Sequence, residues 1–294
     1  MSGPGTPSLR LTRIRVYPLK GAAGFDLQKT RLDSFGIPGD RRWMLTRPDG
    51  LFISQRTHPR LALIKVLPQR QDSGADSTGQ DGKGMGSFSL QAPGMGSLEL
   101  SSDRSSGIPT EVQVQKDRVV GVFVEEGSGW FSEFLGEECR LVFSPDEFLR
   151  PVDPDYAPGH RTSFSDGYPL LLTTEESLKD LNSRLTEPSS MLRFRPNLVV
   201  SGGEPWEEDT WRVLESGGVR LDLVKPCARC SVTTVDPGTG NGGVEPLRTL
   251  GGFRRWNGKA YFGQNAVCSG TGSFRVGETV RILEKGKAPP FGNQ

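Results

Sequence analysis

Two closely spaced cysteines, Cys227 and Cys230, are the residues of this sequence whose type and spacing best suit chemistry. The stretch ahead of them, residues 218–224, alternates apolar with charged side chains, a pattern typical of a half-buried strand. Pro226 has no N–H donor and is predicted to end that strand. We therefore expect both thiols just past a strand end, where a rigid element can aim them into a pocket.

This cysteine pair admits several interpretations. Structural zinc needs about four ligands, and a thioredoxin-like dithiol belongs at a helix N-terminus, whereas residues 231–235 are rich in β-branched side chains. Two buried, inert thiols are a third alternative. The interpretation that we favour is a single reactive or metal-bound thiolate, stabilised by the positive charge of Arg229. The other zinc-ligand candidates have no ligand spacing: Cys139, Cys268, His58 and His160.

Several basic residues stand at strand boundaries. Lys20 follows the opening strand pattern and precedes a glycine-containing turn, where the backbone can approach a ligand closely. On spacing alone, a surface lysine is an equal alternative. An arginine beside a strand start, such as Arg41, is usually part of a rim salt bridge, and Arg42 is predicted to lie on the surface. The planar, always-charged guanidinium of Arg195 suits phosphate, and Asn197 offers both a donor and an acceptor, although either could simply cap a strand end.

Residues 151–166 form a proline-rich, irregular stretch that includes Ser165 and Asp166. A loop of this length inside a compact protein is either disordered or functional. Thr173 and Glu176 have the spacing of a capping box and predict that a helix begins there. A loop followed by a helix N-terminus is a ready anion site.

The remaining patterns predict a fold of many short strands. Residues 71–86 are almost devoid of apolar side chains and are predicted to be a mobile loop. Residues 130–135 have helical spacing, with an aromatic face turned towards the core. The tail from residue 285 is polar. Strand patterns cover residues 9–19, 43–46, 51–53, 61–67, 87–90, 98–101, 112–124, 198–200, 211–214, 218–224 and 274–282.

Composition excludes some classes of function. The 36 Lys and Arg residues nearly balance 35 Asp and Glu residues, so nothing indicates a broad nucleic-acid footprint or a membrane-surface patch. No apolar run approaches about 20 residues, and residues 1–8 are small and polar, so we expect a cytoplasmic protein with no membrane segment. The four cysteines are too few for a disulfide framework and are expected to be reduced.

The run from Pro226 to Gly240 resembles the cofactor segment of MOSC-domain proteins, in particular the mitochondrial amidoxime reducing component and its bacterial relatives. Further motifs of that family stand in the same order along the chain, and several ordered matches are much harder to obtain by chance than one. Animal members carry a membrane-anchoring N-terminus, so the polar residues 1–8 favour the bacterial type. The further motifs lie at residues 16–21, 39–43, 165–167, 194–197 and 262–265.

The resemblance implies a mostly β fold with a few helices. It predicts a MOSC N-terminal β-barrel-like domain over residues 9–145, a MOSC β-barrel domain over residues 146–284, and a cofactor between them. That cofactor is molybdenum bound to molybdopterin. At the level of the whole family, the resemblance also implies pyridoxal phosphate binding, which we assign to no residue.

The resemblance makes Cys230 the catalytic, molybdenum-ligating thiolate, because thiolate sulfur suits soft metals, and makes Cys227 structural or a modulator. Lys20, Arg41 and Arg195 make sense together if they converge on a phosphate dianion. Family members often have serine after the lysine, and Gly21 here loses any hydroxyl contact. The cofactor-binding residues implied are Lys20, Gly21, Arg41, Ser165, Asp166, Gly167, Arg195, Asn197, Ala228, Arg229 and Cys230.

The activity implied is the reduction of N-hydroxylated small molecules, such as amidoximes, N-hydroxyguanidines or hydroxylaminopurines, to the amines or amidines. No ferredoxin-like cysteine cluster is present at the end of the sequence, so electrons are expected from a separate donor protein. Two rival interpretations are a carrier that hands on a sulfurated molybdenum cofactor without its own turnover, and a zinc-stabilised or plain β-barrel binding module.

Overall fold

The computed structural model describes residues 8–68, 87–101, 107–270 and 272–292, so the predicted loop over residues 71–86 lies outside the described residues. Strands dominate, and the predicted mostly β fold class with a few helices is confirmed. The strands are β1 (Arg10–Val16), β2 (Phe25–Leu27), β3 (Lys29–Arg31), β4 (Trp43–Thr46), β5 (Lys65–Pro68), β6 (Phe88–Gln91), β7 (Leu98–Leu100), β8 (Ile108–Val114), β9 (Asp117–Val124), β10 (Arg140–Phe143), β11 (Leu170–Thr174), β12 (Leu198–Ser201), β13 (Trp211–Ser216), β14 (Val219–Arg229), β15 (Arg255–Trp256), β16 (Lys259–Ser269), β17 (Ser273–Arg275) and β18 (Arg281–Lys285). The α-helices are α1 (Ser128–Leu135), α2 (Glu175–Asn182) and α3 (Leu247–Phe253).

The largest sheet has nine strands, in the order β18-β13-β14-β16-β11-β12-β1-β2, with β15 beside β16. Strand β1 comes from the start of the chain, yet it pairs with β12, with Ile14 opposite Leu198. The other sheets have the orders β4-β10-β9-β8, β5-β6-β7 and β17-β3. Among the described strands these paths are open, so no sheet closes into a barrel there. The boundary near residue 145 stays a prediction.

The antiparallel pair β14 and β16 carries the cysteine segment. The prediction that Pro226 ends this strand is wrong, because β14 continues to Arg229 and Pro226 lies opposite Gln264. The register of the pair shifts on both sides of Pro226. A proline, which lacks the N–H donor, is tolerated at such an irregularity. Cys227 therefore lies within the strand, and Cys230 follows its last residue.

The opening strand leads directly into the second sheet. After β1 the chain forms a bridge between Leu19 and Trp43, and the Lys20 N–H donates to the Trp43 carbonyl over 2.8 Å. Trp43 is 1% exposed and packs against Phe88 and Phe143 in the main core. This contact holds Lys20 beside the segment that precedes β4.

Helix α2 begins one residue later than the capping-box spacing predicts. The N-cap is Thr174, whose hydroxyl accepts a hydrogen bond from the Ser177 N–H, whereas Thr173 is the fourth residue of β11. Thr173 pairs with Val199 of the parallel strand β12, and this pairing keeps it extended. Glu175 and Glu176 lie in the first turn, where their negative charges interact favourably with the positive end of the helix dipole. The predicted aromatic helix is confirmed as α1, with Phe131 and Phe134 buried.

Three other predicted strands differ from the structure. Residues 51–53 form only isolated bridges, at Leu51 and Phe52, and no strand. Residues 59–63 form a 3₁₀-helix with Pro59 in its first turn, and only Lys65–Pro68 is extended. Proline favours this start because its fixed φ suits a helical turn. The predicted strand over residues 274–282 is interrupted, since Gly277 has a φ of 88° and lies between β17 and β18.

None of the helices in the described ranges combines the length and the apolar character that crossing a membrane requires.

Candidate functional site

An open cleft of about 930 Å³, measured out to its mouth, lies where the segments after β1, β10 and β14 meet. Its wall includes all eleven residues that the resemblance implies as cofactor ligands, although they come from five separate parts of the sequence. The sequence did not single out several other lining residues, which lie in no motif: Phe52, Ser54, Tyr168, Leu170 and Leu171.

Lys20 lies at the bottom of the cleft, with its side chain 9% exposed. Its Nζ donates to Asp166 Oδ1 over 2.5 Å and to the Phe164 carbonyl over 2.8 Å. Burial lowers the pKa of Lys20, and Asp166 opposes that change. The lysine charge holds the pKa of Asp166 well below its usual range. The two side chains therefore form an ion pair that a cleft ligand must rearrange to reach Lys20.

Arg41 is held by a network of buried partners. Its Nη1 donates to Asp40 over 2.5 Å and to Asn197 Oδ1 over 3.0 Å, and its Nη2 donates to the Arg195 carbonyl over 3.0 Å. The φ of Arg41 is 48°, in the left-handed region that costs about 1 kcal/mol or more for a residue with a side chain. The backbone bond from Arg41 N to the Tyr17 carbonyl, 2.8 Å, helps to keep this conformation.

Asn197 lines the cleft, but its amide is engaged within the protein. Its Oδ1 accepts from Arg41 and also from the Leu171 N–H over 3.2 Å, and its Nδ2 donates to the Arg15 carbonyl over 3.1 Å. Asn197 therefore orients Arg41 rather than offering a free donor to a ligand.

Arg195 and Arg41 stack against the same aromatic ring. The guanidinium carbons lie 4.3 Å and 4.4 Å from the centre of the Tyr17 ring. Arg195 also has a positive φ, 55°, as the residue that ends the 3₁₀-helix Met191–Phe194, and its Nη1 donates to the Ala22 carbonyl over 2.6 Å. Burial, then the charge of Arg41, lowers the pKa of Arg195 to about 10, so it stays positive at neutral pH.

Ser165 and the two glycines complete the floor of the cleft. Ser165 is 5% exposed, and its Oγ is buried without a hydrogen-bond partner among the described residues. Gly21 has a φ of 90°, and a Cβ built there would lie 3.0 Å from Leu61 Cδ1. Gly167 faces open space, since a Cβ there would meet no atom within 4 Å. The Gly21 carbonyl accepts from Gln55 Nε2 over 2.5 Å, a cleft contact that no motif indicated.

The two cysteines differ in their partners: Arg229, predicted to stabilise a single reactive or metal-bound thiolate, donates to the sulfur of Cys227 and, among the described residues, not to that of Cys230. Arg229 Nη1 donates to Cys227 Sγ over 2.9 Å, and its Nη2 donates to the Phe194 carbonyl over 2.7 Å. Residues two apart on a strand share a face, which explains the contact between Cys227 and Arg229. Cys230 is exposed, and within the described ranges no hydrogen bond engages its Sγ. Ala228 lines the cleft between them.

The zinc interpretation lacks further ligands. Within the part of the chain that the structure describes, no three His, Cys, Asp or Glu side chains come together as a potential metal site. His58 instead pairs with Glu137, with Nε2 3.0 Å from Oε1.

Arg42 is buried, so the prediction that it lies on the surface is wrong. It is 7% exposed and points away from the cleft, where its Nε donates to the Ser144 carbonyl over 2.6 Å and its Nη2 pairs with Asp146 over 2.8 Å. Its guanidinium also stacks on Phe35. The side chains of Arg41 and Arg42 thus point in different directions, that of Arg41 into the cleft and that of Arg42 away from it. The left-handed conformation of Arg41 turns the backbone between them.

The charges of the cleft do not cancel. Five cations line it, Lys20, Arg41, Arg56, Arg195 and Arg229, against the carboxylates of Asp166 and of Asp40, which pairs with Arg41, so three positive charges are in excess. Asp40 is 1% exposed and fixed, whereas the Asp166 side chain is 73% exposed. Displacement of Asp166 would free the charge of Lys20 and increase the positive excess further, which suits a phosphate dianion.

Residues 8–138 match the MOSC N-terminal beta barrel domain, and residues 159–281 match the MOSC domain. The chain is 31% identical over 297 residues to mitochondrial amidoxime-reducing component 1 of Homo sapiens, covering 93% of this chain and 82% of that protein. It is 29% identical over 296 residues to mitochondrial amidoxime reducing component 2 of Rattus norvegicus, covering 92% of this chain and 82% of the relative.

The chain is also similar to a longer protein. It is 31% identical over 300 residues to the molybdenum cofactor sulfurase of Solanum lycopersicum, covering 92% of this chain but only 35% of the sulfurase. Its similarity therefore extends to proteins whose names describe two different activities, the reduction of amidoximes and the sulfuration of the molybdenum cofactor.

Proposed function

Because this chain belongs to the MOSC family, with both the N-terminal beta barrel domain and the MOSC domain, we propose that it is a molybdenum-cofactor-dependent reductase of N-hydroxylated compounds. The substrates are small molecules such as amidoximes or hydroxylaminopurines, and the products are the corresponding amidines or amines. The relatives named as amidoxime reducing components over most of this chain support this choice.

The observation that carries the proposal is one cleft that combines an anion site with an unengaged thiol. Lys20, Arg41 and Arg195 line it together with Cys230. The buried Ser165 Oγ has no hydrogen-bond partner among the residues that the structure describes and can donate to an anionic ligand. These residues fit a group with a phosphate at one end and a soft metal at the other, since thiolate sulfur is a good ligand for such metals.

Each cleft residue then has a role in holding the cofactor. Lys20 and Arg195 bind its phosphate, while Arg41, oriented by Asp40 and Asn197, adds a planar donor. Cys230 ligates the metal through its deprotonated sulfur. Arg229 keeps Cys227 at the wall of the cleft through the 2.9 Å contact with its sulfur, so Cys227 is a neighbour of the metal ligand rather than a ligand itself.

When bound, the molybdenum cofactor supplies the two-electron chemistry that amino-acid side chains lack. The net reaction breaks the N–O bond of the substrate, consumes two electrons and two protons, and releases water. The electrons come from a separate donor protein. Location in the cytoplasm and the family-level binding of pyridoxal phosphate stay predictions, and no residue is assigned to the latter.

A second function, carriage of a sulfurated molybdenum cofactor without turnover, is favoured by the similarity to molybdenum cofactor sulfurase. Its cleft would use the same residues, because a carrier must hold the same phosphate and metal. Turnover separates the two functions.

The test is molybdenum content by mass spectrometry, on protein from a host that makes the cofactor, for the wild type and for Cys230→Ala. Cys227→Ala is the matched control, because it removes the other thiol of the same cleft. We expect near-stoichiometric molybdenum in the wild type and in the control, and a large loss in Cys230→Ala. Wild-type protein without molybdenum would exclude both functions.

The loaded protein is then supplied with a chemical reductant and an aryl amidoxime, and the amidine is measured. Amidine formation that Cys230→Ala abolishes supports the reductase. A loaded protein that forms no amidine, yet passes its cofactor to an acceptor enzyme, contradicts the reductase and supports the carrier.

A further inference from the structure

A second, smaller cavity of about 370 Å³ adjoins the cleft and shares Gln55, Arg195 and Val232 with it. Its wall is mostly apolar. Two further arginines, Arg15 and Arg193, line it together with Tyr17. The sequence motifs do not mark this cavity, and nothing in the proposed reductase chemistry requires it.

Two buried donors at this cavity have no partner. Tyr17 is 2% exposed, and its Oη makes no hydrogen bond within the described part of the chain. Arg15 Nε is also buried and unpartnered. The two residues are two apart at the end of β1, where alternate side chains share a face. A buried polar atom without a partner needs an explanation, such as an ordered water, an ion or a ligand, and this cavity has two such donors side by side.

The charge at this cavity is also uncompensated. Arg15 pairs with Asp26 over 2.7 Å, and Arg193 pairs with Asp236 over 2.8 Å. Arg195, between the two cavities, makes no ion pair among the described residues, and the one hydrogen bond seen for its guanidinium goes to the Ala22 carbonyl. Its positive charge is therefore available to a ligand on either side.

The phenol of Tyr17 is a donor at neutral pH. Burial raises its pKa above the ordinary value, against the opposing effect of Arg195, Arg15 and Arg41. The proton therefore stays on the oxygen, where it can bond an anion.

We propose that this cavity binds a small tetrahedral oxyanion of the phosphate class, held by Arg15 Nε, Tyr17 Oη and the guanidinium of Arg195. The oxyanion is a free anion such as inorganic phosphate, bound separately from the cofactor phosphate that Lys20 holds in the adjoining cleft. The proposal needs neither molybdenum nor reductase activity, so it can fail or succeed separately from the proposed function.

The test is a titration of the ligand-free protein with inorganic phosphate, followed by ³¹P nuclear magnetic resonance. Lys20→Met removes a cation of the first cleft and is used as the background, because Lys20 does not line the second cavity. In this background we expect saturable phosphate binding. Adding Tyr17→Phe, which keeps the ring and removes one hydrogen bond, should raise the Kd about tenfold.

Two further variants control the test. Tyr261→Phe removes the hydroxyl of another buried tyrosine, which lines neither cavity, and should leave the Kd unchanged. Arg15→Lys keeps the charge but loses Nε, and should weaken phosphate binding as Tyr17→Phe does. If Tyr17→Phe fails to fold, Arg15→Lys still tests the proposal. The proposal is overturned if Lys20→Met alone abolishes phosphate binding, or if Tyr17→Phe and Arg15→Lys both leave the Kd unchanged.

Repeating the titration on protein with its cleft ligand bound identifies the source of the oxyanion. Phosphate binding that persists assigns the cavity to free phosphate. Phosphate binding that disappears, and returns once the cleft ligand is removed, would show that the cavity holds the phosphate end of that ligand and would overturn the proposal.

Discussion

Lys20 Nζ and Asp166 Oδ1 lie 2.5 Å apart, although 146 positions separate the two residues in the sequence. The Asp166 side chain is 73% exposed and Lys20 is 9% exposed, so the carboxylate approaches a buried cation from the open side of the cleft. In this arrangement Asp166 occupies the position that an incoming anion would take. Asp166 therefore competes with the ligand for Lys20, in addition to forming an ion pair within the protein.

The first prediction is that Asp166→Asn raises the affinity of the ligand-free protein for inorganic pyrophosphate by about three- to tenfold, because the anion no longer displaces a carboxylate from Lys20. Isothermal titration calorimetry measures the change. Asp146→Asn is the control, since Asp146 is an exposed partner of Arg42 away from the cleft. Equal affinity in Asp166→Asn and the wild type would mean that Asp166 does not compete.

The second prediction concerns the ring on which Arg41 and Arg195 stack. Tyr17→Leu removes that ring and should lower the bound molybdenum at least severalfold. Tyr17→Phe keeps the ring and should retain the molybdenum. The reason is that each cation–π contact stabilises the position of its arginine by about 0.5–2 kcal/mol.

Phe35→Leu is a matched control for this second prediction. Phe35 is 2% exposed and carries two guanidiniums, those of Arg42 and Arg161, at 4.4 Å and 4.2 Å, outside the cleft. Both leucine variants should lose about 1–3 kcal/mol of unfolding free energy in urea. Only Tyr17→Leu should lose molybdenum, and an equal loss in Phe35→Leu would assign the effect to general destabilisation.

The third prediction concerns the missing hydroxyl after Lys20. Gly21→Ser should destabilise the protein by about 1–3 kcal/mol instead of gaining a ligand contact, because a φ of 90° is strained for any residue with a side chain and the new Cβ would press on Leu61. Urea unfolding measures the loss. Gly167→Ser, in the same cleft but facing open space, should change the stability by less than about 0.5 kcal/mol.

The fourth prediction concerns pH and Glu208, which is fully buried near the hydroxyls of Thr174 and Ser177. Burial, then the charge of Asp209, raises the pKa of Glu208 from 4.5 to about 7. The unfolded chain ionises this group at lower pH than the folded protein, so the unfolding free energy should fall by about 3 kcal/mol as the pH rises from 4.5 to 7.

Glu208→Gln cannot ionise and should lack that contribution. Its unfolding free energy should equal that of the wild type near pH 4 and exceed it at pH 8, as measured by urea unfolding at both values. Glu207→Gln, at the neighbouring and more exposed position, is the control and should keep the wild-type trend. Parallel pH curves for the wild type and Glu208→Gln would show that Glu208 ionises normally in the folded protein.

Much of the fold and of the residues at the cleft could be predicted from the sequence, because those features depend on local patterns. Period-two alternation marks β13 and β14, and the aromatic spacing marks α1. The motif around Cys230 and the separate motifs that contain Lys20, Arg41 and Arg195 indicated which residues would line one site. The structure brings all of them to one cleft.

Where the sequence failed, a partner distant along the chain overrode a local preference. The long pairing with β16 carries β14 past Pro226, and the parallel pairing with β12 keeps Thr173 extended and moves the helix cap to Thr174. Because the pairing with β16 extends β14 to Arg229, Cys227 and Arg229 lie two apart on one strand. Their side chains share a face, so Arg229 contacts Cys227.

The sequence by itself determined the types of residue available for the site: a thiol pair, three cations and a serine, each in its own motif. Tertiary structure decided which of them meet. The insertion of β1 between β12 and β2 places Tyr17 under both Arg41 and Arg195, and a contact across 146 positions joins Lys20 to Asp166. Such contacts depend on the order of strands in the sheets, which arises from burial of the whole core and not from any single segment.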